Sequence, residues 1–310
     1  MFSLIIVDYN SMDKSAAYLK HCVENLKCEN ELHAVIVDNG TLDNSLALLE
    51  KEFGTSTVLS QTIDGNRLNQ IATAGLKLIY CHSGANLGYA KGNNLGARIV
   101  EEVFKDEYYI ISNNDLVFLQ TVDLAEVEYC FRSQPDMGVL GPKVVGKNGL
   151  EQSPRKHQSA FVRLIAWYWA MGPLKKYVDD LCYGAERGTC NWVSGCFFFV
   201  SAEAFAKAGR FDSNTFLFAE EMILGDRLRA VGYQVYYDPR WSILHNHGET
   251  VKKAVSIQNG FQLSFDSNCY YYKTYCNTSA FLLRFARLNF WVYKKFYPIR
   301  SQIKRFLHRT

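Results

Sequence analysis

The sequence predicts an α/β protein with a Rossmann-like, mostly parallel central sheet flanked by helices and a helical, basic C-terminal extension. Three observations predict it. Short apolar runs alternate with helix-like stretches through the first half, the pattern of βαβ units around a parallel sheet. Asp8, Asp38 and Asp115 each fall at or just past the end of such a run, where open α/β sheets bind ligands. Charge is also segregated: nine of the 34 basic residues follow Asp266 and no acid does, which leaves 25 basic against 31 acidic residues before it.

The expected elements run in order. Phe2–Val7 reads as a strand and Lys14–Asn25 as a helix. Ala34–Val37 is the next strand, closed by the turn signal Asp38-Asn39-Gly40, and Leu42–Phe53 a helix. Leu76–Tyr80 is a short strand and Tyr89–Phe104 a helix. Tyr108–Ile111 is a strand leaving through Ser112-Asn113-Asn114-Asp115. Gly138–Val145 reads as a strand and Arg163–Tyr177 as an aromatic amphipathic stretch. Trp192–Ser201 is continuously apolar, like one buried strand. Glu220–Val231 is a helix ended by Gly232, Tyr233–Tyr237 a strand, and residues 256–308 are mostly helical with a break at Pro298. A boundary near Leu150 divides residues 1–255 into a nucleotide half (1–150) and an acceptor half (151–255), with 256–310 as the extension.

Composition removes several classes. A chain of 310 residues, 48% hydrophobic, builds a full core, which excludes a disordered chain or a disulfide-stapled miniature. The nine cysteines include no C-x-x-C pair and read as reduced thiols of a cytosolic protein. MFSLIIVDYN lacks the basic start of a signal peptide, and no run of 18 apolar residues marks a spanning helix. The basic tail carries no nucleic-acid reading module, so no nucleic-acid partner is expected.

Four constellations carry candidate chemistry. Asn113-Asn114-Asp115 offers a carboxylate at a strand exit for a hard divalent cation, or an Asx-turn that closes the strand. In Asn86-Leu87-Gly88-Tyr89-Ala90-Lys91-Gly92-Asn93-Asn94-Leu95-Gly96 the glycines share a helix face and allow close approach of a strand or a phosphate. Packing accounts for Gly96 and leaves Asn86, Lys91 and Asn94 as polar candidates. Glu220 and Glu221 open a helix, where the dipole favours acids; Arg227 lies seven residues on and is placed to pair with Glu220, freeing Glu221 as a base. His245 and His247 share one side of an extended segment and are candidate metal ligands.

Together these segments resemble glycosyltransferase family 2, inverting enzymes of the GT-A fold, in the rhamnosyltransferase-like and galactosyltransferase-like branch that builds bacterial surface polysaccharides. IIVDYN, VDNG, NLGYAKGNNLG, SNNDL, WVSGCFFFVSAEAFAKAGRFD, FLFAEE and ILHNHG follow in family order over residues 2–250. The resemblance implies donor contacts at Tyr9, Asp38, Asn86, Asn94, Asn113 and Asn114, and a Mg²⁺ or Mn²⁺ carboxylate at Asp115. It places Glu220 and Glu221 on the E-D pair, the second member being the base, with His245 or His247 as a metal or phosphate contact. Three departures stand out: Asn113 replaces the first D-x-D aspartate, Glu221 the aspartate of the pair, and Ile223 a later aspartate. The implied partners are a nucleoside-diphosphate sugar and a glycan or lipid-linked saccharide acceptor. The acid-free aromatic tail from Ser279 suits an anionic membrane surface, which would make a cytoplasmic enzyme peripheral to the inner face; the alternative is a helix packed on the catalytic body with a solvated basic face. The competing readings are a sugar nucleotidyltransferase and a transferase-like binding protein without turnover.

Overall fold

In the computed structural model, residues 1–40, 43–170, 174, 177–178, 186–246 and 257–307 are described. Ten strands follow one another across the main sheet: Gly188–Cys190, Gln234–His245, Met137–Gly146, Phe197–Ser201, Tyr108–Ser112, Phe2–Asp8, Leu32–Asp38, Leu76–His82, Asn66–Thr73 and Thr57–Ile63. Two short strands, Glu151–Ser153 and Leu116–Phe118, pair onto it off this path. The four central strands of the first half are parallel, as expected. Beyond them the sheet is mixed, because Phe197–Ser201 runs antiparallel to both of its neighbours.

Register brings the polar ends together. Asp8 pairs with Asp38 and Asp38 with His82, so the parallel strands finish level. Ser112 pairs with Phe197. Because that strand runs the other way, the residues just before it, Gly195 and Cys196, arrive at the same rim as Asn113–Asp115. His245 pairs with Leu116, which lays the end of the long strand beside Asp115.

Side chains alternate between two cores, as strand geometry requires. Leu4, Ile6 and Ile36 pack beneath the Met12–Asn25 helix, and Ile5, Val35 and Val37 beneath the Gly88–Val103 helix. The glycine spacing of that second helix is a packing device. A side-chain carbon on Gly92 would lie 2.9 Å from Val7 Cγ1, and one on Gly96 would overlap Ile5. The helix therefore rests directly on the sheet.

A third core holds the extension onto the body. Phe265, Tyr272, Leu283, Ala286 and Phe290 from the two last helices, Ile257–Thr274 and Ala280–Leu307, pack with Ala219, Met222 and Ile223. Ile223 is fully buried there. An acid at that position would lose its hydration without a partner, so the family's missing aspartate is explained by the helices that cover it.

Several expectations are corrected. Thr57–Ile63 and Asn66–Thr73 form a hairpin left unassigned above, and its signal was Asp64-Gly65, both at positive φ (50° and 78°), a turn suited to a two-residue hairpin. Only Phe197–Ser201 of the long apolar run is strand; Trp192–Cys196 is a buried turn, which hydrophobicity alone does not separate from a strand. The last helix runs from Ala280 to Leu307 without the break expected at Pro298. The eight described cysteines are all free thiols.

A candidate glycosyl-transfer site

The Asp8, Asp38 and Asn114 side chains build the rim. Asp8 is fully buried and accepts from Ser11 Oγ (2.8 Å), Ser15 Oγ (2.6 Å) and Asn114 Nδ2 (3.1 Å). Burial pushes its carboxyl up, and the serine hydroxyls oppose that. The Asn114 amide also donates to Ser11 and Ser15, so it latches the strand exit to the first helix. Asp38 is fully buried too, accepting from Tyr80 Oη and the Gly40 N–H, both at 2.8 Å. Tyr9 and Asn113 are half-buried at the same edge, and the Asn113 N–H donates to the Cys196 carbonyl.

The Asn86–Asn94 segment divides. Asn86 is exposed and its Oδ1 accepts from the Gly88 N–H; Lys91 is exposed on the next turn. Asn94 both donates to Phe211 O (2.9 Å) and accepts from Phe211 N (3.1 Å), a two-point clamp on the loop before the paired glutamates. Gly88 lies against the Phe216 carbonyl, where any side chain would overlap it.

That loop aims the glutamates. Phe218 and Ala219 both take positive φ (75° and 71°), costly for residues other than glycine at about 1–3 kcal/mol each. Surrounding contacts impose it: Tyr89 N–H donates to Phe216 O and Ser267 Oγ to Leu217 O. The Glu220–Ala230 helix then starts with its two acids on different sides. Glu220 is 2% exposed, and its Oε1 has no hydrogen-bond partner. Burial, then the Glu221 charge, push its carboxyl well above the ordinary range.

Glu221 is half-buried and lies in the space left by Gly195, where any side chain would overlap its carboxylate. Burial raises its carboxyl, opposed by backbone N–H groups and by the charges of Arg155 and Arg163. A carboxylate raised toward neutrality and open on one side can take a proton from an alcohol.

One residue along, the same turn meets the other acid. Cys196 lies beside His245, whose Nε2 is 3.3 Å from Asp115 Oδ1 and whose Nδ1 is 2.8 Å from Gln152 Oε1. Burial opposes charge on the ring, but Asp115 and Cys196 outweigh it and push His245 up to about 10. Asp115 Oδ1 is buried, with His245 as its charged neighbour. Gly195 and Cys196 thus bring the Glu221 and Asp115 sides of the rim together.

No family model matches the chain. An N-acetylglucosaminyl-diphospho-decaprenol L-rhamnosyltransferase of Mycobacterium tuberculosis is 26% identical over 235 residues, covering 72% of this chain and 69% of that protein. Rhamnosyltransferase WbbL of Escherichia coli K12 is 23% identical over 249 residues, 79% of this chain and 83% of its own. The fold is shared with mannosyltransferase PcManGT from Pyrobaculum calidifontis in complex with GDP-Man and Mn²⁺ (TM-score 0.54, 14% identity, 90% of this chain). It is also shared with GalNAc-T7 solved with UDP, GalNAc and Mn²⁺ (TM-score 0.53, 11% identity, 80% of this chain). The chain is a glycosyltransferase of the GT-A fold, similar to rhamnosyltransferases. It spans 64% of the first solved neighbour's length and 44% of the second's.

Within the transferase, one sequence expectation changes. Arg227 pairs with Asp212 (3.1 Å) and not with Glu220. Asp212 is 2% exposed and also accepts from Tyr270 and Tyr275, so it ties the loop to the Ile257–Thr274 helix. His247 lies outside the described residues. The sequence reading also missed Gln152, Arg155, Arg163 and Gly195. Only Gly195 carried a signal, a glycine inside an apolar run.

Among the described residues no group of three or more His, Cys, Asp or Glu side chains could hold a metal ion. Asp115 and His245 form a pair. Mg²⁺ and Mn²⁺ are held by one or two carboxylates together with substrate phosphates; Asp115 offers the carboxylate, and His245 would join it on giving up its proton. The buried Asp115 Oδ1 fits such an ion.

Proposed function

We propose that the transferase moves a hexosyl or deoxyhexosyl group, L-rhamnosyl by likeness to its relatives, from a nucleoside diphosphate to a hydroxyl of a lipid-linked saccharide, with inversion. The observation that carries this reading is the Glu221 carboxylate lodged over Gly195 on the rim that holds Asp115. Glu221 takes the proton of the acceptor hydroxyl as its oxygen bonds to the anomeric carbon. The bond from that carbon to the diphosphate breaks on the opposite face. Tyr9 and Asp38 border the nucleoside, Asn86 and Lys91 the exposed edge of the donor cleft, and Asn94, Asn113 and Asn114 hold the loops around it. Asp115 and His245 would hold a Mg²⁺ or Mn²⁺, which when bound offsets the charge of the departing diphosphate. The test incubates the full chain with nucleoside-diphosphate sugars, Mn²⁺ and an isoprenyl-diphosphate-linked N-acetylglucosamine. The reading expects one added sugar, most with a rhamnosyl donor; no transfer from any donor contradicts it.

The reading extends to a peripheral membrane protein. No helix of the described residues is long and apolar enough to cross a membrane. The last helix instead has two apolar faces. Leu283, Ala286, Phe290 and Tyr293 face the core, while Phe281, Phe285, Leu288 and Trp291 on the far side are 46–80% exposed. Arg284, Lys294 and Lys295 accompany that outer face, and Lys295 Nζ lies 4.2 Å from the Trp291 ring. An apolar stripe with cations and no acids suits the headgroup region of an anionic bilayer. Removing the helix would strip the third core, so the test uses Phe285→Glu with Trp291→Glu in the full chain. Wild type is expected to float with phosphatidylglycerol vesicles and the double variant to stay below; equal flotation removes the claim.

A further inference from the structure

Two guanidinium groups lie near enough to Glu221 to act on its charge. Arg155 follows the Glu151–Ser153 strand, its N–H donating to Trp192 O (2.9 Å) and its Nε to Gln152 O (3.0 Å). Its guanidinium lies 5.1 Å from the centre of the Trp192 ring, and Trp192 and Glu221 line one small cavity. Arg163 sits in a π-helical segment, Val162–Ala166, a rare geometry concentrated at functional sites. Its Nε donates to Asn268 Oδ1 (3.0 Å) and its guanidinium lies 6.0 Å from the Trp167 ring, so an amide and a ring hold it. Both arginines are half-buried. Gln158, between them in the sequence, is buried, and its Oε1 has no hydrogen-bond partner.

Cations in this position work against a base. Each favours the ionised form of Glu221 and lowers its appetite for a proton. The placement makes sense if an anion docks on them during the reaction, screening Glu221 from their charge when the acceptor is present. Guanidinium forks match phosphate oxygens. The neighbourhood suits what would be attached to that phosphate. Asn268, which holds Arg163, belongs to the first of the two last helices. Trp169, three residues beyond the π-helical segment, donates to Asn289 of the final helix, whose outer face is the exposed apolar stripe. A charged head and an apolar chain thus find adjacent surfaces.

We propose that Arg155 and Arg163 form a clamp for the diphosphate of an isoprenyl-diphosphate-linked acceptor, seating its sugar hydroxyl beside Glu221. The proposal rests on the transferase reading and names the acceptor subsite within it. The donor's diphosphate belongs on the other side of the Gly195–Cys196 turn, with Asp115 and His245.

The probe is farnesyl diphosphate, its binding to the full chain measured by titration calorimetry, with farnesol, inorganic pyrophosphate and a nucleoside diphosphate plus Mn²⁺ as separate arms. Wild type is expected to bind farnesyl diphosphate more tightly than farnesol or pyrophosphate. Arg155→Gln and Arg163→Gln are each expected to weaken it about 10-fold or more, as lost charge-assisted hydrogen bonds do. Affinity for the nucleoside diphosphate is expected to stay at its wild-type value. Arg155→Lys and Arg163→Lys keep the charge without the fork, and intermediate affinities are expected; they also stand in if a Gln variant does not fold. Wild-type indifference to farnesyl diphosphate would overturn the clamp. So would Gln variants that bind it normally and only shift the pH profile of transfer, or a loss falling on the nucleoside diphosphate. Absent sugar transfer with intact, arginine-dependent farnesyl diphosphate binding would instead count against the transferase reading.

Discussion

Glu221→Gln is expected to lower turnover by about 10²–10⁴-fold, the usual contribution of a positioned general base, while donor affinity is retained. The amide keeps the shape of the side chain and cannot accept the proton. Gly195→Ala reaches the same residue by another route. The new methyl group would overlap the Glu221 carboxylate, which is the free end of a flexible side chain and can swing aside. The fold should therefore survive and turnover fall, measured as initial rates beside an unchanged melting curve. In wild type, burial holds the Glu221 carboxyl above its ordinary value. A base works once deprotonated, so the rate is expected to rise with pH through a midpoint above the ordinary glutamate range. The limb should disappear in Glu221→Gln. If that variant keeps near-wild-type turnover and Glu220→Gln does not, the assignment within the pair is reversed.

Asp115→Asn is expected to lower turnover by about 10³-fold, since a bound divalent cation supplies several kcal/mol of charge stabilisation to a phosphate-bearing transition state. Chelation of the metal should reduce wild type to a similar level and leave the variant little changed. Asn113 gives this dependence added weight. With a neutral residue at the first position of the motif, Asp115 supplies the carboxylate of that tripeptide, and His245 is its neighbour at 3.3 Å. Rates measured across Mn²⁺ concentrations check the prediction. Equal Mn²⁺ stimulation of wild type and Asp115→Asn would remove Asp115 from the metal site.

How much of this was legible in the sequence follows from what each signal depends on. Strand periodicity and the carboxylates at strand exits are local, so the parallel strands and the rim with Asp8, Asp38 and Asp115 could be read directly. Gly92 and Gly96 were readable as contact glycines because spacing along a helix fixes which residues share a face. Partnerships across the fold were not. Arg227 sits seven residues from Glu220 and was assigned to it, but the helix that supplies Tyr270 and Tyr275 brings Asp212 to the guanidinium instead. The same helices turn Ile223 from a missing acid into a core residue. Trp192–Cys196 looked like strand because a buried turn and a buried strand share composition, and the cradle of Glu221 was hidden in it. Arg155 and Arg163 lie in no motif; only folding sets them near the base.

The account depends on Asp115 and Glu221 serving one bound sugar from opposite sides of the Gly195–Cys196 turn. The most direct measurement is a crystal of the full chain grown with Mn²⁺ and a nucleoside-diphosphate sugar, with anomalous differences recorded to locate the manganese. The expected result is a peak bonded to Asp115 and the donor phosphates, with the anomeric carbon between that ion and the Glu221 carboxylate. Manganese bound elsewhere, or a donor sugar seated away from Glu221, would contradict it.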